Sequence, residues 1–300
     1  MRKLLITGGR GFLGRNLAES FSTKFEVLTL GRNNANYEVD LSKTVPKFED
    51  EFQFVIHAAG KAHIVPKTAE EKEAFFNVNT EGTKNLLKAL NSVKSSIQTF
   101  VFISTVAVYG KEVGENISEK HSLDGTTPYA LSKIKAEELV QDWCKHNNVN
   151  CLILRLPLLA GPNPPGNLGA MIKGIKNNRY FSIHKGKAKR SIVLVDDIAK
   201  MLLENLDKNG IYNLTDDYNP SFRELEFAIA SQLNKKVPKS IPIVFAKILG
   251  LIGDVIPILQ VNSYKVSKMI SDLTFNCDKA KVDLNWKPKK VVNNFVITKK

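Results

Sequence analysis

Short apolar runs alternate with amphipathic helical patterns along the first half of the chain, and this alternation is typical of a parallel sheet covered by helices. The apolar runs, each the length of a buried strand, are Lys3–Ile6, Glu26–Leu30, Phe54–His57, Thr99–Ile103 and Cys151–Leu154. The helical patterns between them are Leu13–Ser22, Glu70–Asn91 and Tyr129–His146. Because strand–helix–strand crossovers are right-handed, the pattern predicts an α/β fold with a doubly wound parallel sheet.

A Pro- and Gly-rich stretch, Leu159–Gly166, interrupts this pattern and must form a loop. After it come two helical patterns, two strand-like runs and a helix that opens with a capping box, at Leu168–Asn177, Asp196–Leu206, Ser191–Val195, Ile211–Leu214 and Ser221–Glu224. We therefore expect residues 1–165 to form the sheet domain, with some later segments returning to it. Residues 166–300 are expected to form mostly a smaller α/β cap that binds the substrate, together with the C-terminal helices.

The most apolar part of the chain is residues 241–259, which Pro242, Lys247, Asp254 and Pro257 interrupt. Its longest uncharged run is too short to span a bilayer. Two interpretations stay open. The stretch is either a buried or dimer-interface helix, or a helix that lies in a membrane interface beside a basic surface and gives peripheral membrane contact.

Composition narrows the classes of protein. The apolar fraction of 43% argues against disorder, and the formal net charge is +13. The lysines stand singly or in pairs, and no nucleic-acid-binding motif accompanies them, so nucleic acid is not an expected partner. The positive charge is either a solvated surface or an attraction for anionic ligands such as nucleotide phosphates and acidic membranes.

The three cysteines, Cys144, Cys151 and Cys277, are odd in number and widely spaced. This pattern favours reduced thiols in a cytoplasmic protein, and it contains no pair with metal-ligand spacing, so we expect no metal. The chain enters a predicted strand at once, and we therefore expect no signal peptide.

A glycine-rich turn between the first strand and the first helix carries the first candidate chemistry. Gly8 would let the chain turn sharply, Gly11 would let the backbone approach a pyrophosphate, and Gly14 would let the helix pack close to the strand. A pyrophosphate would then lie on the free amides at the N-terminus of the helix. The spacing indicates a dinucleotide-binding turn.

Tyr129 and Lys133 carry the second candidate chemistry, because four residues of separation place both on one face of a helix. A phenol titrates near pH 10, and a neighbouring ammonium lowers that pKa, so the pair can move a proton to or from a substrate oxygen. Ser104 and Thr105 end the strand Thr99–Ile103, at the edge of the sheet where ligands bind. A hydroxyl there could bond the same substrate oxygen.

Taken in order, these motifs resemble those of the extended short-chain dehydrogenases/reductases, and in particular the NAD-dependent epimerase/dehydratase family that acts on nucleotide sugars. In the first half the matching segments are Thr7–Gly14, Asp40–Leu41, His57–Gly60, Asn79–Leu87, Ser104–Gly110 and Tyr129–Lys133. In the second half they are Arg155–Pro162, Asn167–Leu168, Arg190–Asp197 and Asp283–Pro288. The resemblance implies a Rossmann-type sheet domain, an enzyme, and a homodimer formed through helices near Glu70–Asn91 and Tyr129–His146.

The resemblance also implies roles for individual residues. Thr105, Tyr129 and Lys133 would be catalytic. The cofactor would contact Gly8, Gly11, Phe12, Leu13, Gly14, Arg32, Asp40, Leu41, Ala58, Ala59, Gly60, Asn79, Tyr129, Lys133 and Pro157. The substrate would contact Lys61, His63, Ser104, Thr105, Asn167, Leu168 and Arg190, with Arg190 on a phosphate. His63 is as readily explained as a solvated loop residue.

The end of the second strand bears on the choice of cofactor. Gly31 stands where an NAD-preferring fold usually places a carboxylate for the ribose hydroxyl, and Arg32 follows it. An arginine can meet a 2′-phosphate. We therefore predict NADP(H), with NAD(H) as the alternative, although Arg32 could also stack on adenine or face solvent.

The resemblance to this family also bears on the reaction. Val106 and Ala107 come after Thr105 where the dehydratase branch normally carries an acidic pair, so dehydratase activity is disfavoured. The stretch from Pro157 to Asn167 resembles reductases of UDP-4-keto-6-deoxy-N-acetylhexosamines in polysaccharide synthesis, and reduction of that C4 ketone is our hypothesis. The alternatives are a UDP-hexose or UDP-N-acetylhexosamine 4-epimerase with tightly bound NAD, and a non-catalytic regulator that binds the cofactor.

Overall fold

The computed structural model describes residues 1–62, 64–255 and 262–297. Its strands are β1 (Lys3–Thr7), β2 (Glu26–Gly31), β3 (Tyr37–Glu38), β4 (Phe54–His57), β5 (Thr99–Thr105), β6 (Gly114–Ile117), β7 (Asn150–Leu156), β8 (Leu158–Ala160), β9 (Ser182–Ile183), β10 (Ile192–Leu194), β11 (Gly210–Asn213), β12 (Ser240–Ile241) and β13 (Leu273–Phe275). Its α-helices are α1 (Phe12–Phe21), α2 (Ala69–Phe76), α3 (Gly82–Leu90), α4 (Pro128–Asn147), α5 (Gly166–Lys176), α6 (Val195–Glu204), α7 (Phe222–Gln232), α8 (Ile243–Val255), α9 (Ser263–Ile270), α10 (Asp278–Asp283) and α11 (Val291–Asn294).

A seven-stranded sheet in the order β11-β7-β5-β4-β1-β2-β3 forms the centre of the molecule, and each of its strand pairs is parallel. Strand order runs outward in both directions from the junction of β1 and β4, which confirms the predicted doubly wound, Rossmann-type sheet. Thr7 at the end of β1 pairs in register with His57 at the end of β4. The carboxyl ends of the two strands therefore open a crevice where such sheets bind ligands.

Helices cover both faces of this sheet. On one face α1 and α6 bury their apolar sides in a cluster that includes Leu17, Phe21, Ile198 and Leu202. On the other face α3 and α4 do the same, with residues such as Leu86 and Val140 in a second cluster. Because neither face is left to solvent, the strands can be apolar throughout, which is why their sequence reads as unbroken hydrophobic runs.

The chain beyond residue 165 contributes to two layers. β11 joins the central sheet, and α6 packs on its face. In contrast, α5, α7 and α11 pack on one another around a third cluster that includes Leu168, Ile229 and Phe295. The predicted capping box at the start of α7 is present, since the Ser221 hydroxyl and the Glu224 carboxylate bond each other's main-chain N–H groups. The exact division of the chain at residue 165 stays a prediction.

The structure differs from the predicted continuous helix over Glu70–Asn91. A π-helical segment, Asn77–Glu81, separates α2 from α3. Such segments add a residue to the turn and often mark functional positions. Here the extra residue brings the Asn79 side chain inward, where it bonds neighbouring elements described below.

The predicted apolar stretch 241–259 is helical as α8, and residues 256–259 lie outside the described part of the chain. Three of the described side chains that α8 shows to solvent are Val244, Phe245 and Leu251. Across the described residues, every helix falls short of the length and apolarity that a membrane crossing requires. The three cysteines are free thiols, two of them buried and Cys151 partly exposed.

Candidate active site

The glycine-rich turn after β1 is shaped by close backbone contacts. Gly8 has a φ of 70°, and a Cβ on it would stand 2.7 Å from the main-chain nitrogen of Ala59. A Cβ on Gly14 would collide with the carbonyl oxygen of Gly8. The three glycines predicted for cofactor binding therefore form a tight turn packed against the Ala58–Gly60 segment, which the resemblance also assigned to the cofactor.

The N-terminus of α1 faces this turn and is free of a side-chain cap. Gly11 stands at the N-cap position in an extended conformation, and no side-chain hydrogen bond to the helix end is found there in the described structure. Phe12 and Leu13 begin the helix, and Leu13 is buried. Unpaired amides and the positive end of the helix dipole make such a terminus suited to an anion such as a pyrophosphate.

A buried histidine joins the loops around this crevice. The Ala59 N–H donates to the Thr7 hydroxyl at 3.1 Å, and that hydroxyl lies 2.6 Å from Nδ1 of His57. On the other side of the ring, Nε2 lies 2.9 Å from the Thr83 hydroxyl, which donates to the Asn79 carbonyl. Since Thr83 uses its proton on Asn79, His57 carries its own proton on Nε2 and accepts from Thr7 at Nδ1.

The imidazole of His57 is kept neutral by its surroundings. Burial, and to a smaller extent the charge of Lys133, lower the pKa of His57 to about 3. The ring is therefore neutral across the physiological range and serves as a fixed donor and acceptor. The histidine motif after β4 thus holds the first turn, the Ala58–Gly60 segment and the Asn79 segment in one arrangement.

Asn79 connects the same loops to α4, the helix that carries Tyr129 and Lys133. Its Oδ1 accepts from the Lys61 N–H at 2.7 Å, and its Nδ2 donates to the Ser132 hydroxyl of α4 at 2.9 Å. A Cβ on Gly60 would lie 3.2 Å from Asn79 Oδ1, so the glycine permits this close packing. These contacts are made from within the π-helical segment, which contains Asn79.

The structure brings together the three residues predicted to be catalytic. Thr105 is the last residue of β5, and α4 begins at Pro128 under a Thr127 N-cap, so that Tyr129 and Lys133 lie on its first two turns. The Tyr129 phenol lies near enough to Thr105 for the threonine to lower its pKa. The Lys133 Nζ donates to the Ile103 carbonyl at 2.6 Å.

Burial controls the proton affinities in this group. Burial raises the pKa of Tyr129, and the neighbouring Thr105 partly offsets this rise. Burial lowers the pKa of Lys133 to about 7, against the charge of Glu137, which raises it. A partly buried phenol and a buried amine on one helix, the amine able to lose its charge near neutral pH, can hold and deliver a proton to an oxygen in the crevice.

A buried ion pair one turn beyond Lys133 was not anticipated from the sequence. Arg155 on β7 donates from Nη2 and Nε to the two carboxylate oxygens of Glu137 at 2.7 and 3.2 Å, and from Nη1 to the Tyr109 hydroxyl at 3.1 Å. The Ser104 hydroxyl also donates to Glu137. The signal that could have found it is the spacing of Glu137 four residues after Lys133, on the same face of α4.

The Ser104 hydroxyl is therefore directed to Glu137 and not toward the hydroxyls of Thr105 and Tyr129. Neighbouring residues of a strand point to opposite faces, and Ser104 points to Glu137 and Arg155. Its predicted contact with the substrate remains without structural support.

The end of β2 carries exposed arginines, and Gly31 stands where an NAD-preferring fold usually places a carboxylate. Arg32 follows Gly31 and is exposed, and Arg10 of the glycine-rich turn donates from Nη1 to the Asn33 carbonyl at 3.4 Å. The nearby Glu38 carboxylate accepts from the Asn34 N–H at 2.6 Å. Two guanidinium groups thus flank the β2 turn.

Asp40 and Leu41, two of the predicted cofactor contacts, lie in a small turn. The Asp40 carboxylate accepts from the N–H and hydroxyl of Ser42, and these bonds hold the pKa of Asp40 below its usual range. Leu41 is buried, and its carbonyl accepts from Asn85 Nδ2 at 2.8 Å. Pro157 lies partly buried between β7 and β8.

The residues predicted for the substrate are dispersed. Lys61 Nζ lies 5.6 Å from the ring centroid of Phe75, whose ring centroid is 6.0 Å from that of Tyr129. Asn167 is exposed at the start of α5, while Leu168 is buried in the third cluster. His63 lies outside the described residues.

Arg190, which was predicted to bind a phosphate, donates its hydrogen bonds to main-chain carbonyls. Its guanidinium is buried and donates to the main-chain carbonyls of Lys189, Lys268 and Ser271. The last two carbonyls are at the C-terminal end of α9. Burial lowers the pKa of Arg190. In this structure the arginine holds α9 in place.

Comparisons with known proteins agree with this fold. The chain is 24% identical to N-acetyl-alpha-D-glucosaminyl-diphospho-ditrans,octacis-undecaprenol 4-epimerase of Escherichia coli O157:H7, over 89% of this chain and 83% of that protein. It is 26% identical to UDP-glucose 4-epimerase of Vibrio cholerae, over 96% and 91% of the two chains.

Two solved structures have the same fold. UDP-glucuronic acid 4-epimerase from Bacillus cereus, in complex with NAD, superposes with a TM-score of 0.72 at 17% identity, over 97% of this chain and 92% of that one. RMD from Pseudomonas aeruginosa, complexed with NADPH, gives 0.72 at 21% identity, over 97% and 95%.

The sequence model of the NAD dependent epimerase/dehydratase family matches residues 4–215. That span takes in the glycine-rich turn and the group of Thr105, Tyr129 and Lys133. The chain therefore belongs to the NAD dependent epimerase/dehydratase family, whose members are short-chain dehydrogenase/reductase enzymes.

Proposed function

We propose that this enzyme is an NADPH-dependent nucleotide-sugar reductase that acts on the C4 ketone of a UDP-4-keto-6-deoxy-N-acetylhexosamine for surface polysaccharide synthesis in the cytoplasm. The observation that carries this choice is the exposed Arg32 and Arg10 at the end of β2, where Gly31 stands in place of a carboxylate. Guanidinium groups there favour a 2′-phosphate, and a cofactor that exchanges suits net reduction.

The residues present fit a dinucleotide, because the turn holds three glycines at which a Cβ would crowd the backbone and opens on an uncapped helix. Its diphosphate would lie on the amides of Phe12 and Leu13, beside Gly11, whose own N–H donates to the Gly8 carbonyl at 2.8 Å. Asp40 and Leu41 would hold the adenine side, and Ala58, Gly60 and Pro157 the remainder. When bound, the cofactor supplies the hydride for the carbonyl carbon.

Residues of this chain would supply the proton and stabilise the phenolate that remains. Tyr129 would donate to the substrate oxygen, Thr105 would orient that oxygen, and the Lys133 ammonium would favour the phenolate that forms. Lys133 would leave the Ile103 carbonyl to hold the ribose of the cofactor. Val106 and Ala107 supply no acid–base group for elimination, which supports reduction over dehydration.

Substrate binding would involve Lys61, Asn167 and Arg190. The exposed Asn167 stands at the start of α5, and a lysine and an arginine suit a diphosphate. Arg190 would need to exchange the carbonyl of Lys268 or Ser271 for a phosphate oxygen. The nucleotide-sugar class is further supported by relatives such as UDP-glucose 4-epimerase of Vibrio cholerae.

The test compares Arg32→Ala with the wild type and with Arg179→Ala, an exposed arginine after α5. We expect wild type to oxidise NADPH with a UDP-4-keto-6-deoxy-N-acetylhexosamine. Arg32→Ala should lower the NADPH/NADH ratio of kcat/KM by about tenfold, the worth of one charge-assisted bond, and the control should not. Failure to turn over any such keto sugar would contradict the proposal.

The second candidate is a 4-epimerase, favoured by the two 4-epimerase relatives described above, one of which acts on a lipid diphosphate sugar. It predicts that denaturing the purified protein releases tightly bound NAD.

The third hypothesis, a non-catalytic regulator, predicts that Tyr129→Phe keeps the biological activity. The intact group of Thr105, Tyr129 and Lys133 argues against it. A homodimer through α2, α3 and α4 remains the expected assembly.

A further inference from the structure

Helix α8 shows an apolar face to solvent. Val244, Phe245 and Leu251 are 62%, 61% and 64% exposed, and Ile248, Leu249 and Ile252 are also exposed. These positions recur at i, i+4 and i+7, so they form one continuous stripe along the helix. A contiguous stripe of large apolar side chains on a soluble surface marks an interaction site.

The opposite side of α8 is held firmly by α9. Ala246 is buried with Val266, and a Cβ on Gly250 would lie 3.1 Å from Cα of Ser263, so the two helices pack at close range. The Ser263 N–H donates to the Asp254 carboxylate at 3.0 Å. The stripe is therefore displayed by an anchored helix and does not belong to a frayed end.

α9 is in turn tied to the body of the enzyme. The Tyr264 hydroxyl and Lys268 Nζ both contact the Glu112 carboxylate at 2.9 Å, in the segment that follows Thr105. Arg190 holds the carbonyls at the C-terminal end of the same helix. The helix pair thus lies against the side of the enzyme that we propose for the substrate diphosphate.

A basic cavity adjoins the start of α8. It has a volume of about 600 Å³ and is lined by Lys185, Lys187, Arg223, Ser221 and Ser240. Ser240 precedes α8 by three residues, and its hydroxyl accepts from the Lys185 N–H at 2.8 Å. Cations and hydroxyls are therefore next to the apolar stripe, and α8 itself carries the exposed Lys247.

We propose that α8 is a docking helix for a bilayer that contains anionic phospholipid. The stripe would enter the boundary between headgroups and acyl chains, and the cavity cations would meet the lipid phosphates. A second copy of this chain fits less well, because a two-fold contact through this face would bring the same lysines of both copies together. The inference does not depend on which reaction the enzyme performs.

The test measures co-sedimentation of the full chain with vesicles of phosphatidylcholine, with and without phosphatidylglycerol. We expect binding that increases with phosphatidylglycerol. Phe245→Gln combined with Leu249→Gln should reduce the partition coefficient by about tenfold or more, since two large apolar side chains no longer enter the bilayer. The matched control is Val282→Gln, which changes an 82% exposed residue of α10 and should bind as the wild type does.

A second pair of variants tests the basic cavity. Lys185→Gln with Lys187→Gln should reduce binding to phosphatidylglycerol vesicles by about tenfold or more, at roughly 1 kcal/mol per cation. Lys24→Gln with Lys145→Gln removes the same charge from exposed sites on other elements and should change binding less. Thermal unfolding establishes that each variant is folded.

Three results would overturn the proposal. The first is a wild type that ignores phosphatidylglycerol vesicles. The second is an α8 variant that binds as well as Val282→Gln. The third is an α8 variant that converts an oligomer to a monomer while the wild type leaves vesicles unbound, which would assign the stripe to a second copy.

Discussion

Glu137 adjusts the pKa of Lys133, the lysine that we propose to be catalytic. It lies one turn after Lys133 on α4, and its charge keeps the pKa of Lys133 from falling further under burial. Arg155 and Ser104 neutralise and orient the carboxylate from the other side. We therefore propose that Glu137 is a positioning residue, which would act on the reaction through Lys133.

Glu137→Gln should lower the pKa of Lys133 below about 7. In the proposed mechanism the active form of Lys133 is the ammonium, so activity is present below its pKa and is lost as pH rises through it. The alkaline limb of the pH profile of kcat should therefore move to lower pH by about one unit. The exposed neighbour Glu138→Gln is the control, and an unmoved limb in Glu137→Gln would contradict this role.

The sequence predicted the residues of the site better than their partners. The spacing of Tyr129 and Lys133 requires one helix face, whatever the tertiary structure. The destination of the Ser104 hydroxyl could not be predicted, because it depends on Glu137 and Arg155, which come from two other elements. Arg190 has the same limitation, since its acceptors belong to a helix some 80 residues later in the chain.

At the level of elements, local sequence predicts an element well when its own residues decide its shape. The β1 turn and α1 follow from glycine spacing, and the α7 capping box follows from Ser221 and Glu224. The π-helical segment at Asn77–Glu81 does not, because the bonds of Asn79 to Lys61 and Ser132 hold it. The exposure of α8 was left open for the same reason.

Gly14→Ala tests the packing of the first turn. The added methyl would meet the Gly8 carbonyl, so we expect a loss of about 1–3 kcal/mol in the free energy of unfolding. Dinucleotide affinity should fall as well. Gly82→Ala on α3 is the matched control, because its nearest neighbour would be 3.5 Å away, an ordinary contact. Calorimetry and a dinucleotide titration give both quantities, and equal effects of the two variants would refute the argument.

At the level of the whole molecule, the last described segment joins the two layers. Cys277, Leu284 and Trp286 are in the cluster beneath the central sheet, while Val291 and Phe295 belong to the cluster of α5 and α7. The C-terminal segment therefore contributes to both cores.

Trp286→Ala tests whether the two cores unfold together. The indole is buried and donates to the Thr215 carbonyl at 2.9 Å. Its removal should lower the free energy of unfolding by about 3–5 kcal/mol. We expect one denaturation transition followed by both circular dichroism and tryptophan fluorescence. Two separate transitions in the variant would show that the layers unfold independently.

The guanidinium of Arg190 binds α9 and is also the group that we propose for the substrate phosphate. Its bonds to α9 and the phosphate bond that we propose use the same donors, so the two sets of acceptors compete. If both proposals hold, substrate affinity and the attachment of α9, which carries α8, are thermodynamically linked. A bilayer that changes substrate affinity by some factor must then have its own affinity changed by the same factor when substrate binds.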